Sequence, residues 1–412
     1  MSKKRPTLIC HLKPLIEPRR LGLKRVRLTR IWRGENERHF MTVKTLAYSA
    51  QQHLEAGTGA RFKRAHIYEL LAAAFGFNSY ASLCADAVFT EASFTNRRGS
   101  SNTVLVQNRC IEIGYSPEAA KAVSIVLPGF LTEREIGVIR IADLVAHLRS
   151  ESEVDIDSDD DEFEDREGVA DDRWASTEAL ISPMLLDGLD GAAGKRNPLA
   201  HYALALIFAP SDEGDRETVG SEHWYQQAQS GCILSGVEKE WADAYSANLA
   251  RSEKFEYHLR EAARLGHQDA LLDLADQFDD PAFFEQAGNQ VNADPALVAD
   301  IAERLGRPHD ARKWLTAAAE AGDSEAMRQL IEEYDRDDLQ RCWTWVYLAD
   351  LVGVDLTKDE YQAIHENGDP YDDDVGGSAF VDGRDGIDLA PISAERESEA
   401  RRTAQEIFQR MA

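Results

Sequence analysis

The feature that most constrains the fold is a set of three windows in the second half of the chain that share one pattern of apolar residues. Each window has apolar side chains at relative positions 0, 4, 5 and 8, and this spacing puts all of them on one face of an α-helix. The three sets are Ala200, Leu204, Ala205 and Phe208; Ala270, Leu274, Ala275 and Phe278; and Ala326, Leu330, Ile331 and Tyr334. The pattern predicts three equivalent amphipathic helices.

A second shared pattern ends in a glycine. A large residue stands eight or seven positions before the glycine, and alanine stands four or three positions before it. The sets are His223, Trp224, Ala228 and Gly231; His258, Leu259, Ala262, Ala263 and Gly266; Trp314, Leu315, Ala318, Ala319 and Gly322; and, more loosely, Trp345, Val346, Ala349 and Gly353. Small residues let helices approach closely, and glycine closes a turn without a Cβ penalty. The two patterns together predict repeated units of two antiparallel helices.

These windows resemble the Sel-one-like repeat, a tetratricopeptide-related family with the pattern A-x-x-x-L-G-x-x-Y followed by A-x-x-W-Y-x-x-A-A-x-x-G. The best matches are EYHLREAARLGHQDALLDLADQF and ARKWLTAAAEAGDSEAMRQLIEEY, and the resemblance covers about residues 195–355. The chain departs from the family where Ala275 and Ile331 replace the usual glycine and where residues 209–220 lack a G-x-G-V turn.

The spacing of the glycines adds one irregularity. Gly231 and Gly266 are 35 residues apart, which is close to the family period, whereas Gly266 and Gly322 are 56 apart. We therefore expect a degenerate pair of helices in between, containing Phe283, Phe284 and PALVADIAERLG. A single helix pair cannot bury its apolar face alone, so such units stack against their neighbours into a solenoid. The resemblance implies an adaptor that gathers other proteins.

The expected fold class is mainly α, with a C-terminal α-solenoid of helical-hairpin repeats preceded by a small helical or α+β N-terminal region. Residues 1–40 read as a basic arm, and the alternative is that the protein starts at Met41. The expected division of the chain is a basic arm at 1–40, a small helical module at 41–100, a small α+β unit at 101–150, an acidic linker at 151–172, the repeat solenoid at 173–365, an Asp/Gly-rich loop at 366–392 and a capping helix at 393–412.

The N-terminal modules carry two local predictions. In HIYELLAAAFGFNSYASLCADAVF the apolar spacing and Gly76 predict a helix-turn-helix hairpin, flanked by Arg61, Lys63 and Arg64. Nucleic-acid binding by these three basic residues is one interpretation, and plain helix packing is the other. The stretch TVLVQNRCIEIGY is rich in β-branched residues and predicts a strand.

Charge is distributed very unevenly along the chain. The net charge of −27 combines a net of +12 for residues 1–110, with 19 Lys and Arg against 7 Asp and Glu, and a net of −39 for the remainder. The acidic part favours a basic protein or peptide as partner, whereas residues 1–110 suit nucleic acid. Residues 151–172 hold thirteen acids and one base, which predicts a solvated linker.

Aromatic residues near the end of the predicted repeats are candidate partner-binding anchors. The run Cys342-Trp343-Thr344-Trp345-Val346-Tyr347 places Trp345 where Trp314 stands in its own repeat, so we expect Trp345 to fill the slot between helices. That assignment leaves Trp343 and Tyr347, one helical turn apart, as exposed side chains for binding a peptide. The alternative is that all of them serve packing.

Several classes of function lack sequence support. The chain has no HExxH, GxSxG, GxGxxG or phosphate-binding loop, the Asp-rich stretch after residue 366 does not fit a calcium-binding EF-hand, and the five cysteines are scattered. No apolar run reaches membrane length. We therefore expect a cytoplasmic protein with no catalytic residue, metal, cofactor or membrane association.

Three functional hypotheses follow from these observations. The first is a non-enzymatic intracellular adaptor whose solenoid binds a protein or peptide. The second is a nucleic-acid-associated regulator that uses the basic helix-turn-helix-like module. The third, a hydrolase within residues 102–150, has no motif in its favour.

Overall fold

The computed structural model describes residues 41–91, 102–154, 181–210, 220–286, 291, 293–365 and 380–411, and most of them are helical. The N-terminal elements are α1 (Val43–Thr58), α2 (Arg64–Ala74), α3 (Tyr80–Asp86), β1 (Ala87–Glu91), α4 (Thr103–Glu112), α5 (Pro117–Glu133), β2 (Ile136–Arg140) and α6 (Ile141–Val154). Next come α7 (Pro183–Ala193), α8 (Pro198–Phe208), α9 (Ser221–Gln229), α10 (Val237–Arg264), α11 (Gln268–Phe278), α12 (Ala282–Glu285), α13 (Pro295–Arg304) and α14 (Pro308–Glu320). The last are α15 (Ser324–Gln329), extended by a π-helical turn (Leu330–Tyr334), α16 (Leu339–Val352), β3 (Glu360–Ile364), β4 (Phe380–Arg384) and α17 (Ala394–Met411). The expected mainly α fold class is confirmed.

Glycines close the connections between consecutive helices, as the sequence predicts. Gly266 and Gly322 have left-handed φ values of 92° and 106°, and Gly306, which the sequence patterns did not include, has 66°. In each case the next backbone N–H donates to a carbonyl five residues earlier, as from His267 to Ala262 at 3.1 Å. Together with the hydrogen bond that the glycine N–H donates to a carbonyl three residues earlier, this bond closes the helix end, and the chain reverses within three residues. Helices α10 and α11, α13 and α14, and α14 and α15 are joined in this way.

The predicted apolar faces are buried in all three windows. The alanines and leucines of the first pattern are at most 3% exposed, and the aromatic residue at the end of each window is partly buried. Ala262, Ala263, Ala318 and Ala319 of the second pattern are also buried, where α10 packs against α8 and α11 and where α14 packs against its neighbours. Ala228 is the exception, because it lies on the exposed surface of α9.

The strand predicted for residues 103–115 is wrong, because residues 103–112 form helix α4. Asn102 caps the helix by accepting a hydrogen bond from the backbone N–H of Leu105 at 3.1 Å. Val106 and Cys110, which are four residues apart, are fully buried, whereas Val104 is 65% exposed. The helical period of the buried residues and the cap outweigh the preference of β-branched residues for strands.

A two-stranded antiparallel sheet joins the two modules that the sequence places at 41–100 and 101–150. Strand β1 pairs with β2, with Ala87 opposite Arg140 and Phe89 opposite Val138. Both faces of the sheet are buried. Phe89 belongs to the core formed by α1 to α5, whereas its neighbour Val88 belongs to a second core. The described parts of the two modules therefore share one core and one sheet.

The second core contains residues from both sides of the expected acidic linker at 151–172. Side chains of β1, β2 and α6 pack there with those of α7, α8, α10, α11 and α13. Gly188 of α7 lies so close to β1 that an added Cβ would stand 3.1 Å from the Val88 Cβ. Residues 151–154 end α6, and the rest of the expected linker lies outside the described residues, as does the basic arm at 1–40. The described regions on either side of the linker are therefore packed together.

The C-terminal elements form a third core around α14 to α17. The expected capping helix is present as α17, whose Ala404 and Ile407 are buried against α16. Of the expected Asp/Gly-rich loop, residues 366–379 lie outside the described part, and residues 380–384 form β4, which pairs with β3. Arg328, which is 2% exposed, donates to the Asp385 carbonyl at 3.2 Å and so fixes the base of this β-hairpin. In the described part of the chain, no helix is both long and apolar enough to cross a bilayer.

Candidate functional site

Trp343 and Tyr347 lie together on α16, as their spacing predicts. Their rings are stacked with centroids 5.5 Å apart and planes 28° from parallel. Trp345 lies on the buried side of the same helix and is only 2% exposed, so its expected role in filling the space between helices is confirmed.

The expectation that Trp343 and Tyr347 are exposed is wrong, because the C-terminal segment covers them. The Trp343 Nε1–H donates to the Ala390 carbonyl at 3.0 Å, and the Tyr347 hydroxyl bonds to the Glu397 carboxylate at 3.3 Å. The guanidinium of Arg401 lies 3.9 Å from the centre of the Tyr347 ring. Both aromatic side chains are half-buried, and burial raises the pKa of the Tyr347 hydroxyl. Their use as anchors for a partner stays a prediction.

A buried carboxylate organises the same region, and the sequence analysis missed it. Asp335 follows the π-helical turn, and its side chain is fully buried. It accepts a hydrogen bond from Arg312 and another from Trp345 Nε1 at 2.9 Å. It also forms an ion pair with Arg341, whose Nε lies 2.7 Å away. Acidic residues are abundant in this chain, so the only sequence signal for Asp335 is its position directly after the apolar window that ends at Tyr334. Its partners make it a structural ion-pair centre.

Two histidines form a buried pair between α8 and α10. The Nδ1 atoms of His201 and His258 are 3.0 Å apart, so one ring donates a hydrogen bond and the other accepts it. Burial lowers the pKa of both rings, and that of His258 falls to about 4. Both imidazoles are therefore neutral at pH 7. Since the Nδ1 atom of each ring is hydrogen-bonded to that of the other, the pair connects α8 to α10.

A second polar cluster lies beside this pair, between α6, α8 and α11. The Tyr202 hydroxyl, on a residue that is 1% exposed, donates to Asp273 at 2.9 Å, and the His267 ring stacks on Tyr202 at 4.4 Å. Arg149 of α6 forms an ion pair with Asp269 at 3.1 Å. Burial raises the pKa of Asp273 to about 6. The first pair connects α8 to α11 and the second connects α6 to α11, as expected of polar groups that hold elements together.

The three basic residues of the helix-turn-helix prediction are exposed around the start of α2. The guanidinium of Arg64 lies 5.0 Å from the centre of the Tyr48 ring, and Arg61 and Lys63 precede the helix in an extended segment. The predicted helix-turn-helix hairpin is present as α2 and α3, with Gly76 in the left-handed conformation at φ 88°. However, α3, which corresponds to the base-reading helix of such motifs, contains no Lys or Arg.

One exposed apolar surface that contains an aromatic residue was not predicted from the sequence. It lies on the hairpin of α9 and the first half of α10, where Trp241 is 45% exposed and Val237 is 55% exposed. Its sequence resembles the buried windows, since Trp224, Ala228 and Gly231 match the second pattern. The signal that distinguishes it is the spacing of Val237, Trp241 and Tyr245, four residues apart in a helix whose remaining positions are mostly polar.

The β3–β4 hairpin borders an open cleft of about 550 Å³. Its lining includes Glu360, Tyr361 and Arg384, and Arg384 pairs with Glu360 at 3.2 Å and with Glu325 at 2.6 Å. Arg384 is thus paired with two carboxylates, and the carboxylate of Asp382 also lines the cleft, so the lining is acidic overall. Among the residues that the structure describes, no group of three or more His, Cys, Asp and Glu side chains is arranged to hold a metal ion.

Comparison of the chain with models of protein families, with curated proteins and with solved structures gives no match.

Proposed function

We propose that the chain is a non-enzymatic cytoplasmic adaptor, in which residues 173–365 form an α-solenoid of Sel-one-like hairpin repeats that holds a partner protein or peptide. The observation that supports this most is the succession of helices that reverse at glycine turns and pack on the next helix or the one after it, with buried alanines at the contacts. Arrays of this kind present extended surfaces to other proteins.

The chemistry of the described polar groups agrees with this proposal. Asp335 is surrounded by two arginines and an indole, and the His201 and His258 rings bond to each other. Asp273 bonds to Tyr202. These perturbed or buried groups join helices, whereas general acid–base catalysis needs such groups directed at a substrate. The strongly acidic composition after residue 110 favours a basic partner.

The adaptor function is tested by affinity capture with the full-length chain, followed by reconstitution with the purified candidate. We expect one partner at a fixed stoichiometry, with an affinity that falls as salt rises from about 0.05 to 0.3 M, because opposite charges contribute to binding. Failure to reconstitute any captured protein, or reconstitution with no dependence on salt, contradicts the proposal of a basic partner held by the acidic repeats.

A second candidate, nucleic-acid binding, is supported by the exposure of Arg61, Lys63 and Arg64. The test is a mobility-shift titration of duplex DNA and of RNA against the chain at increasing salt, with the triple variant R61A/K63A/R64A as comparison. Binding through these residues predicts a weaker complex and a smaller slope of log affinity against log salt in the variant. Equal slopes for the two proteins contradict a role for these three residues.

A further inference from the structure

In the hairpin of α9 and α10, several apolar side chains in the first half of α10 are exposed, and Tyr225 and Tyr245 beside them are partly buried. We name as the hairpin face Tyr225, Val237, Trp241, Tyr245 and Leu249. The rings of Tyr225 and Tyr245 are 5.2 Å apart, which places α9 beside the first half of α10. Val237, Trp241 and Leu249 are 55%, 45% and 41% exposed.

Helix α10 has two halves with opposite burial. In its second half Phe255, His258, Leu259 and Ala262 are buried in the core, whereas in its first half only Ala242 is buried. The helix is 28 residues long, or about 42 Å at 1.5 Å per residue, so its first half extends well beyond the buried contacts of its second half.

Exposed aromatic residues at helical spacing are informative in such a place. Val237, Trp241 and Tyr245 follow one another at intervals of four residues and so form a stripe along α10. A stripe of this kind contributes little to the stability of its own fold, since it removes little apolar surface from water. Val237 and Trp241 are exposed and Tyr245 is partly buried, so the stripe offers apolar and aromatic surface of the kind that contacts another protein.

The charges around the hairpin face select the partner. Between Ser221 and Leu249 the chain carries four acidic side chains against one basic side chain, Lys239. The acidic residues are Glu222, Glu238, Glu240 and Asp243. Two copies of this acidic face would repel each other, whereas a basic segment of another protein would be attracted. Lys and Arg side chains also bind favourably over the faces of Trp and Tyr rings.

We infer that the hairpin face is the partner-binding surface of this protein and that it takes a basic amphipathic segment of another protein. The apolar side of that segment would lie on Trp241 and Val237, and its basic side chains would meet Glu238, Glu240 and Asp243. This inference rests on the proposed adaptor function and names the surface by which it operates.

The test uses the full-length chain and two fluorescein-labelled peptides of equal length. Both peptides carry leucine at helical spacing on one side, and the other side is lysine in one peptide and glutamate in the other. Fluorescence anisotropy measures the affinity of each peptide for the wild type, for Trp241→Ala and for Ile125→Ala. Ile125 is the matched control because it is an apolar residue that is 68% exposed on α5, away from the hairpin.

We expect the lysine peptide to bind and the glutamate peptide to bind at least tenfold more weakly. Trp241→Ala should weaken the lysine peptide about tenfold or more, as is usual for a central aromatic anchor, and Ile125→Ala should leave it unchanged. Circular dichroism melting checks that Trp241→Ala folds, which is expected because the side chain is exposed. If that variant melts early, the charge variant E238K/E240K, at exposed or half-exposed positions, provides the same comparison.

Three results would overturn the assignment of the hairpin face. They are the absence of binding by the lysine peptide, equal binding of both peptides, and unchanged binding by both Trp241→Ala and E238K/E240K. A dimer in sedimentation that Trp241→Ala dissociates would show instead that a second copy occupies this face. If the purified partner of the adaptor test still binds Trp241→Ala with full affinity, the adaptor function stands and only the surface is wrong.

Discussion

At the scale of single residues, the described chain contains buried charged side chains that are each held by several polar partners. Asp335 is the clearest case, since its carboxylate has no exposed surface and is held by Arg312, Arg341 and Trp345. A buried carboxylate with two hydrogen-bond donors and an ion-pair partner is stable only as a set, because removal of one member leaves the others without a partner. The half-exposed arginines can still reach water, whereas the indole N–H cannot do so easily.

Asp335→Ala tests this set. We expect the variant to lose about 3 kcal/mol of unfolding free energy in urea denaturation, because it removes the acceptor of two arginines and a buried indole. The control is Asp337→Ala, at an exposed position two residues away, which should change the free energy by less than about 0.5 kcal/mol. Equal losses for the two variants would show that Asp335 does not organise its surroundings.

Asp273 gives a prediction about pH. Burial raises its pKa to about 6 in the folded chain, whereas an unfolded chain has about 3.9. Between these pH values the folded state binds a proton that the unfolded state does not, so this group adds stability as pH falls and loses that contribution as pH rises through 6. Asp273→Asn keeps an acceptor for the Tyr202 hydroxyl but cannot titrate.

The measurement is the urea midpoint and unfolding free energy of both proteins at pH 7 and pH 5. On going from pH 7 to pH 5, the wild type should gain about 1 kcal/mol relative to Asp273→Asn. The buried rings of His201 and His258, whose pKa values are lowered, destabilise both proteins on acidification and cancel in this comparison. Parallel changes in the two proteins would contradict the raised pKa of Asp273.

At the scale of helices and strands, the local patterns of the sequence predict structure where one face of a helix is buried by its neighbours. The alanine and leucine faces of α8, α11 and α15 and the glycine turns after α10 and α14 follow from spacing alone, because they depend on residues within two turns of each other. The strand predicted for residues 103–115 is wrong because the helical period of the buried Val106 and Cys110 outweighs the β-branched composition.

Two alanine substitutions test how closely the helices approach. Ala262→Leu in α10 and Ala318→Leu in α14 insert a larger side chain at positions that are 0% and 1% exposed. Each should lower the unfolding free energy by about 1–3 kcal/mol, because a packed contact cannot absorb the added volume. Glu320→Lys, on the exposed side of α14, is the control and should be close to neutral. If all three variants melt at the same temperature, the close helix contacts are not present in solution.

The candidate site was less predictable than the helices that carry it. The helical spacing of Trp343 and Tyr347 correctly places them side by side, but no local signal shows that residues some 50 positions later cover them. For the same reason the repeat pattern suggests that Trp224 and Ala228 are buried, although the hairpin of α9 and α10 leaves Ala228 exposed. Exposure depends on which distant element lies on a face, and the pattern of one helix does not contain that information.

At the scale of the whole described chain, three cores are linked by elements that take part in more than one of them. Strand β1 directs Phe89 into the first core and Val88 into the second, and α6 contributes Leu144 and Leu148 to the second. The charge composition suggests a division near residue 151, because a run of acidic residues resembles a boundary between domains. The sequence does not reveal that side chains on either side of this run share a core.

A truncation tests this coupling. The fragment 173–412 lacks β1, β2 and α6, so it exposes the surfaces of Leu185, Leu189 and Tyr202 that these elements cover. We expect the fragment to melt at least several degrees below the chain 41–412, which retains all three cores, and to bind the dye ANS at 25 °C. A fragment with the same melting temperature and no dye binding would show that the regions fold independently.

The position of α17 has a consequence for assembly. The helix lies on the outer side of α16 with Ala404 and Ile407 turned inward, while Glu395, Glu399, Arg402 and Glu406 face outward. A bare final helix would offer an apolar surface on which the first helices of another molecule could add, and repetition of that contact would produce a filament. In the proposed solenoid, α17 covers α16 and turns a charged exterior outward, so it would oppose the addition of another molecule on α16.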